Sequence, residues 1–129
     1  MASWVDVKGF IRNNYKLQDD EGDCFKIVFN LGSSRSQVVF IQKIKTRAGD
    51  IWIQISSPVG IIEQENIDDA LEYLNENICG GMVKIGHRHF VRHCLPIEDL
   101  SSDEFDVPLR VVTMAADELE QKFVGGDRN

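Results

Sequence analysis

The chain has 129 residues, an apolar fraction of 43%, a charged fraction of 27% and a formal net charge of −7. That length sets one domain around one core. No apolar run approaches the ~20 residues a helix needs to cross a bilayer, and the acidity argues against whole-surface nucleic-acid binding.

The start, Met1-Ala2-Ser3-Trp4-Val5-Asp6, lacks the basic-then-apolar pattern of a secretory signal. Ser3, with Asp6 three residues on, signals a helix start. Trp4, Val7, Phe10 and Ile11 give that helix one apolar stripe, and Asn13-Asn14 ends it. Residues 15–23 read as a polar connector with a turn at Glu21-Gly22-Asp23.

Three strands follow. Phe25, Ile27 and Phe29 alternate with Cys24, Lys26, Val28 and Asn30. After a turn at Gly32-Ser33-Ser34, a second strand spans residues 37–45. Val38, Phe40 and Ile44 are expected toward the core, with Lys43 and Lys45 outward. After Ala48-Gly49-Asp50, Ile51, Ile53 and Ile55 share one face, and Trp52, Gln54 and Ser56 the other. Pro58, lacking a ladder donor, is expected to end this strand. The short turns imply an antiparallel meander.

Asn66 is expected to cap a second helix, with Ile67, Ala70, Leu71, Leu74 and Ile78 at helical spacing. Asp68 and Asp69 suit its first turn, and Gly80 suits a left-handed stop. A hairpin follows, with strands near residues 82–85 and 89–95 and a stop at Pro96. Ser101 and Glu104 form a capping pair for the last helical region. Pro108 suggests a short turn at residues 102–105 before a main helix starting near Val107. Leu109, Val112, Ala116, Leu119 and Phe123 mark the apolar face of that helix. Gly125-Gly126 is expected to stop the fold, and residues 127–129 to fray.

The expected fold is α+β, a single domain over residues 1–126. Its antiparallel sheet has the order α-β-β-β-α-β-β-α, with the helices mainly on one face. The other face is left open, and an aromatic there, Trp52, is a candidate partner contact.

Residues 80–96 hold all three histidines, the cations Lys84, Arg88 and Arg92, and one of three cysteines. His87, His89 and His93 sit at odd positions, so they would share a strand face. Cα atoms four residues apart in a strand lie roughly 13 Å apart. One zinc ion, with Zn–N bonds of about 2.0–2.1 Å, cannot take all three at that spacing, so no metal site is assigned. Cys24, Cys79 and Cys94 are odd in number and form no C-x-x-C pair. They read as reduced thiols of a cytosolic, cytoplasmic protein. No dinucleotide fingerprint, P-loop or nucleophile elbow is present, so no catalytic residue and no cofactor site is assigned. Carboxylates cluster at 19–23, 63–76 and 98–106, where helix starts and loops use them for capping and solubility. Lys84, Arg88 and Arg92 form a dense basic stretch suited to an acidic protein or a phosphate group.

The second half of the chain resembles the YbjN family and the wider type III secretion chaperone-like fold. The residues that carry the resemblance run from Ile51-Trp52-Ile53-Gln54-Ile55-Ser56-Ser57-Pro58-Val59 through the helix at 67–78. They continue through Gly81-Met82-Val83-Lys84-Ile85, Phe90-Val91-Arg92-His93-Cys94-Leu95-Pro96 and Ala115-Ala116-Asp117-Glu118-Leu119. The resemblance implies a small, acidic, non-enzymatic protein, a homodimer that binds a segment of a partner protein or acts as a regulator. Trp52, Lys84, Arg88 and Arg92 are the expected partner-binding residues. The competing expectations are a metal- or pH-responsive sensor built on the hairpin histidines, and a small enzyme with an acidic site.

Overall fold

The structure, a computed structural model, describes residues 1 and 3–124. The expected stop at Gly125-Gly126 and the tail at 127–129 lie outside the described residues. Helix α1 spans Trp4–Asn14, and the Ser3 hydroxyl accepts the Asp6 N–H at 3.2 Å. Its stripe of Trp4, Val7 and Ile11 is buried, as helical spacing requires.

Strand β1, Leu17–Asp20, lies in what sequence reads as a connector. Its residues are polar, and only Leu17 packs against the core. The strand exists because β2, Cys24–Gly32, offers it a ladder, with Leu17 opposite Ile27 and Asp20 opposite Phe25. Strand β3 is Arg35–Lys45 and β4 is Ile51–Gly60. The sheet order is completed by β5, Gly81–Ile85, and β6, Arg88–Pro96, as β1-β2-β3-β4-β6-β5. All pairings are antiparallel. The element order therefore gains one strand over the expected one.

Two strand readings need correction. In β3 the core side is Gln37, Val39 and Ile41, each 0% exposed. Val38, Phe40 and Ile44 stand on the opposite face, and Lys43, opposite Ile53, stands on the core side at the sheet's end. Residues 38–41 are apolar on both faces, so alternation alone leaves the phase open, and pairing of Ile41 with Ile55 decides it. Pro58 does not end β4, which continues to Gly60 beside β6. Side chains replace the ladder on the β3 side. Ser57 Oγ donates to the Val38 carbonyl at 2.6 Å, and Gln37 Nε2 donates to the Pro58 carbonyl at 2.7 Å.

Helix α2, Ile67–Leu74, follows a 3₁₀ turn at Gln64–Asn66. Asn66 occupies the cap position but its side chain makes no cap bond. The helix ends six residues before Gly80, and Leu71 and Ile78 are exposed rather than part of a buried stripe. Helix α3 runs unbroken over Ser102–Leu119, with Pro108 inside it, and then winds into a π turn at Glu120–Val124. No break precedes Val107. Phe105, Leu109 and Val112 are fully buried, and that continuous apolar contact with the sheet outweighs one lost helix bond. Ser101 and Glu104 form a complete capping box.

The three helices cover one face of the sheet and share its core with Phe25, Ile27, Ile53, Ile55 and Val91. Among the described residues no helix is long and apolar enough to cross a membrane.

Candidate interaction surface

The face left bare by the helices can be read from the register. Ile44 lies opposite Trp52, and Trp52 opposite Pro96. A polar row follows, with Cys24, Gln42, Gln54 and Cys94 paired in turn. The next row runs Lys26, Phe40, Ser56, Arg92. Beyond it Val28 faces Val38 on one side, and Pro58, Phe90 and Val83 pair on the other. The side chains of Val38, Phe40, Ile44, Trp52 and Phe90 are half-buried on this face.

Charge on this face has one sign over most of its width. Strands β3 and β4 present no charged side chain to it, and β6 presents Arg88 and Arg92. At the far edge, Lys26 sits opposite Asp19. Of the expected partner-binding residues, the fold places Trp52, Arg88 and Arg92 on this bare face. Lys84 pairs with His89 and stands on the other face, at the outer edge. Phe40 and Phe90 were not among the expected residues. Their signal was available only through strand phase: a Phe one residue out of step with buried Val39 and Val91 must face away from the helices.

The histidines do not converge. His87 lies in the two-residue turn between β5 and β6, where Gly86 holds a left-handed φ of +63°. His89 and His93 lie on the core side of β6. The Ile62 N–H donates to His89 Nδ1 at 3.2 Å, and the Gly80 N–H donates to His93 Nδ1 at 3.2 Å. Each ring therefore accepts at Nδ1 and carries its proton on Nε2. Burial lowers the His93 pKa. Among the described residues no group of three or more His, Cys, Asp or Glu is placed to hold a metal ion. Burial, with Glu21 and Asp19 nearby, raises the Cys24 thiol pKa, and burial raises that of Cys79, so neither is tuned toward a reactive thiolate.

A groove of about 530 Å³ opens where β6 hands over to α3. Its floor is Leu95, Pro96, Leu100, Val107 and Pro108, and its rim is Glu98, Asp99, Asp103 and Glu104. A second depression, of about 630 Å³, shares Pro96 and Glu98 with it and reaches Asp50 and Trp52. The acidic 98–106 stretch was visible in sequence, but the apolar floor beneath it was not.

Compared with protein-family models and with curated proteins, the chain finds no match.

Proposed function

We propose that this chain is a non-enzymatic module that binds an extended, acidic and apolar segment of a partner protein on the bare face of its sheet, and that it works as a homodimer. The observation that carries the reading is the placement of Phe40, Trp52 and Phe90 beside Arg88 and Arg92 on a face that no helix covers. Aromatic and arginine side chains are the groups that anchor protein interfaces. A net charge of −7 makes a face with two arginines and few carboxylates an exception on this molecule. The resemblance read from the residues of the second half of the chain implies the same kind of module.

The test is site-specific photo-crosslinking in extracts of the source organism. A photoreactive residue at Phe40 is expected to give discrete protein adducts, and one at Asn13 on exposed α1 to give none. Phe90→Ser with Arg92→Glu should abolish the Phe40 adducts. Adducts of equal yield at both positions, or adducts digested by nuclease, would overturn the reading.

A further inference from the structure

We propose that two copies of the chain pair by seating the β5–β6 hairpin tip of each in the acidic groove of the other. This deepens the homodimer part of the proposed function and rests on it. The tip carries Lys84, Ile85, His87 and Arg88, all exposed, with no carboxylate among them. Ile85 is 56% exposed, a large apolar side chain held in water between two cations. The groove has the opposite character. Its rim holds Glu98, Asp99 and Asp103, the Met1 ammonium is engaged by the Leu100 carbonyl and lies toward Glu104, and Val107 on its floor is 46% exposed. Glu104 accepts the Ser101 N–H, which leaves the other three carboxylates for a partner. An apolar tip between cations thus meets an apolar floor between carboxylates, and each covers what the other leaves in water.

The positions suit a closed pair. The tip sits at the Arg88 end of β6 and the groove opens at its Pro96 end. A strand of that length separates them by about 26 Å. A two-fold axis that sets the two β6 strands antiparallel brings each tip to the other copy's groove, so the contact is made twice and closes. Arg88 is common to both surfaces, whereas Phe40 and Phe90 belong only to the segment-binding face.

Sedimentation equilibrium on the full chain tests the contact. The wild type is expected to dimerise, more weakly as salt screens the charges. Lys84→Glu with Arg88→Glu should weaken the dimer by about tenfold or more, because attraction at both ends turns to repulsion. Glu98→Lys with Asp103→Lys should do the same, and the four changes together should restore it. Ile85→Ser should weaken it without changing the charge. A monomeric wild type, a dimer indifferent to either charge reversal, or a folded fourfold variant that stays monomeric would overturn the proposal. Where the fourfold variant does not fold, the wild-type salt titration decides, and a dimer insensitive to salt overturns the contact. Crosslinking from Phe40 separates the two readings. Adducts that persist without a dimer overturn only the contact between copies. A dimer without adducts overturns only the segment-binding site.

Discussion

The His93 ring accepts the Gly80 N–H at Nδ1, 3.2 Å away, and so ties the last residue before β5 back onto β6. His89 does the same for Ile62, at the other end of the connection between β4 and β5. The two rings clamp both ends of the segment that contains α2. A protonated imidazole donates at both nitrogens and cannot accept either N–H.

The first prediction follows from that clamp. Burial lowers the His93 pKa from its ordinary 6.5, so the folded state favours the neutral ring. The unfolded chain then takes up protons first as pH falls. Stability from this group is fully present above the unfolded pKa and is lost as pH drops through the lowered folded value. Hydrogen exchange read by NMR is expected to show the Gly80 amide losing protection between about pH 7 and pH 5. His93→Phe should leave that amide weakly protected at both. The carboxylates of α2, Asp68, Asp69 and Glu72, are exposed, and Lys84 stands beside His89. Gly80 protection unchanged across this range in the wild type would refute the clamp.

The second prediction concerns the proline in β4. Ser57 Oγ donates to the Val38 carbonyl, and Gln37 Nε2 donates both to Ser57 Oγ, at 2.9 Å, and to the Pro58 carbonyl. Gln37 and Ser57 are each 0% exposed. Ser57→Ala removes the donor to the Val38 carbonyl and leaves Gln37 Nε2 only its bond to the Pro58 carbonyl, and should cost about 1–3 kcal/mol in urea unfolding. Gln37→Leu should cost a similar amount. A loss near zero for both would mean that the β3–β4 ladder is satisfied in another way.

These residues also show where sequence stops being legible. The α+β class, the hairpin, the capping box at Ser101 and the Ile53/Ile55 core face follow from local spacing, and the fold keeps them. Pro58 was read as a stop because a proline inside a sheet normally leaves a gap. Here side chains distant in sequence, Gln37 and Ser57, fill it. The phase of β3 was inverted because Val38-Val39-Phe40-Ile41 is apolar on both faces, and only its pairing with β4 fixes it. β1 has no apolar period, and only its ladder to β2 defines it. The candidate surface inherits these errors: Trp52 was placed on the open face, Arg88 and Arg92 were named as partner-binding residues without a face, and Phe40 was assigned to the core.

The third prediction tests the ion pair that joins β3 to α3. Arg35 reaches Asp117, which is 1% exposed and also accepts from Gln121 Nε2 at 2.9 Å. Arg35→Leu leaves the buried carboxylate with one weaker donor. Breaking a fully buried pair costs about 3–5 kcal/mol. The Arg35 side chain is 35% exposed, so solvent screens part of the attraction and the expected loss is about 2 kcal/mol. Replacing both, with Asp117→Leu, should recover part of it, and an additive double variant would rule out the coupling.

Tyr15 supplies the fourth prediction. Its ring packs edge-on against Phe10, Phe29 and Phe105, with centroids 6.0–6.3 Å away, and its hydroxyl donates to Asp106. Burial and the neighbouring carboxylate raise the Tyr15 pKa. Burial alone would raise the Asp106 pKa, but hydrogen bonds from Tyr15 and Arg110 hold it below its ordinary 3.8. The stability from Asp106 is therefore present above that value and is lost as pH falls below it. Tyr15→Phe keeps the ring packing and removes the donor. It should cost about 1.5 kcal/mol at neutral pH, and less near pH 3, where the wild type has lost part of the same interaction. An equal cost at both pH values would assign the effect to packing instead.

Gly80 gives the last prediction, which joins the clamp to the backbone. Its φ of +92° lies in the left-handed half of conformational space, and a Cβ there would come 3.1 Å from Val91 Cγ1 and 3.7 Å from Val112 Cγ2. Val91 and Val112 are fully buried, so neither has room to retreat. A left-handed residue with a Cβ costs roughly 1–2 kcal/mol before any clash. Gly80→Ala should therefore destabilise the fold by about 2 kcal/mol. By shifting the Gly80 N–H it should also weaken the bond to His93, observable as lost protection of that amide in hydrogen exchange. Gly81→Ala is the control, since nothing lies within 4 Å of its Cβ and its φ is not left-handed. If the two substitutions cost the same, neither the left-handed turn nor the contact with Val91 holds the end of the α2 connection in place.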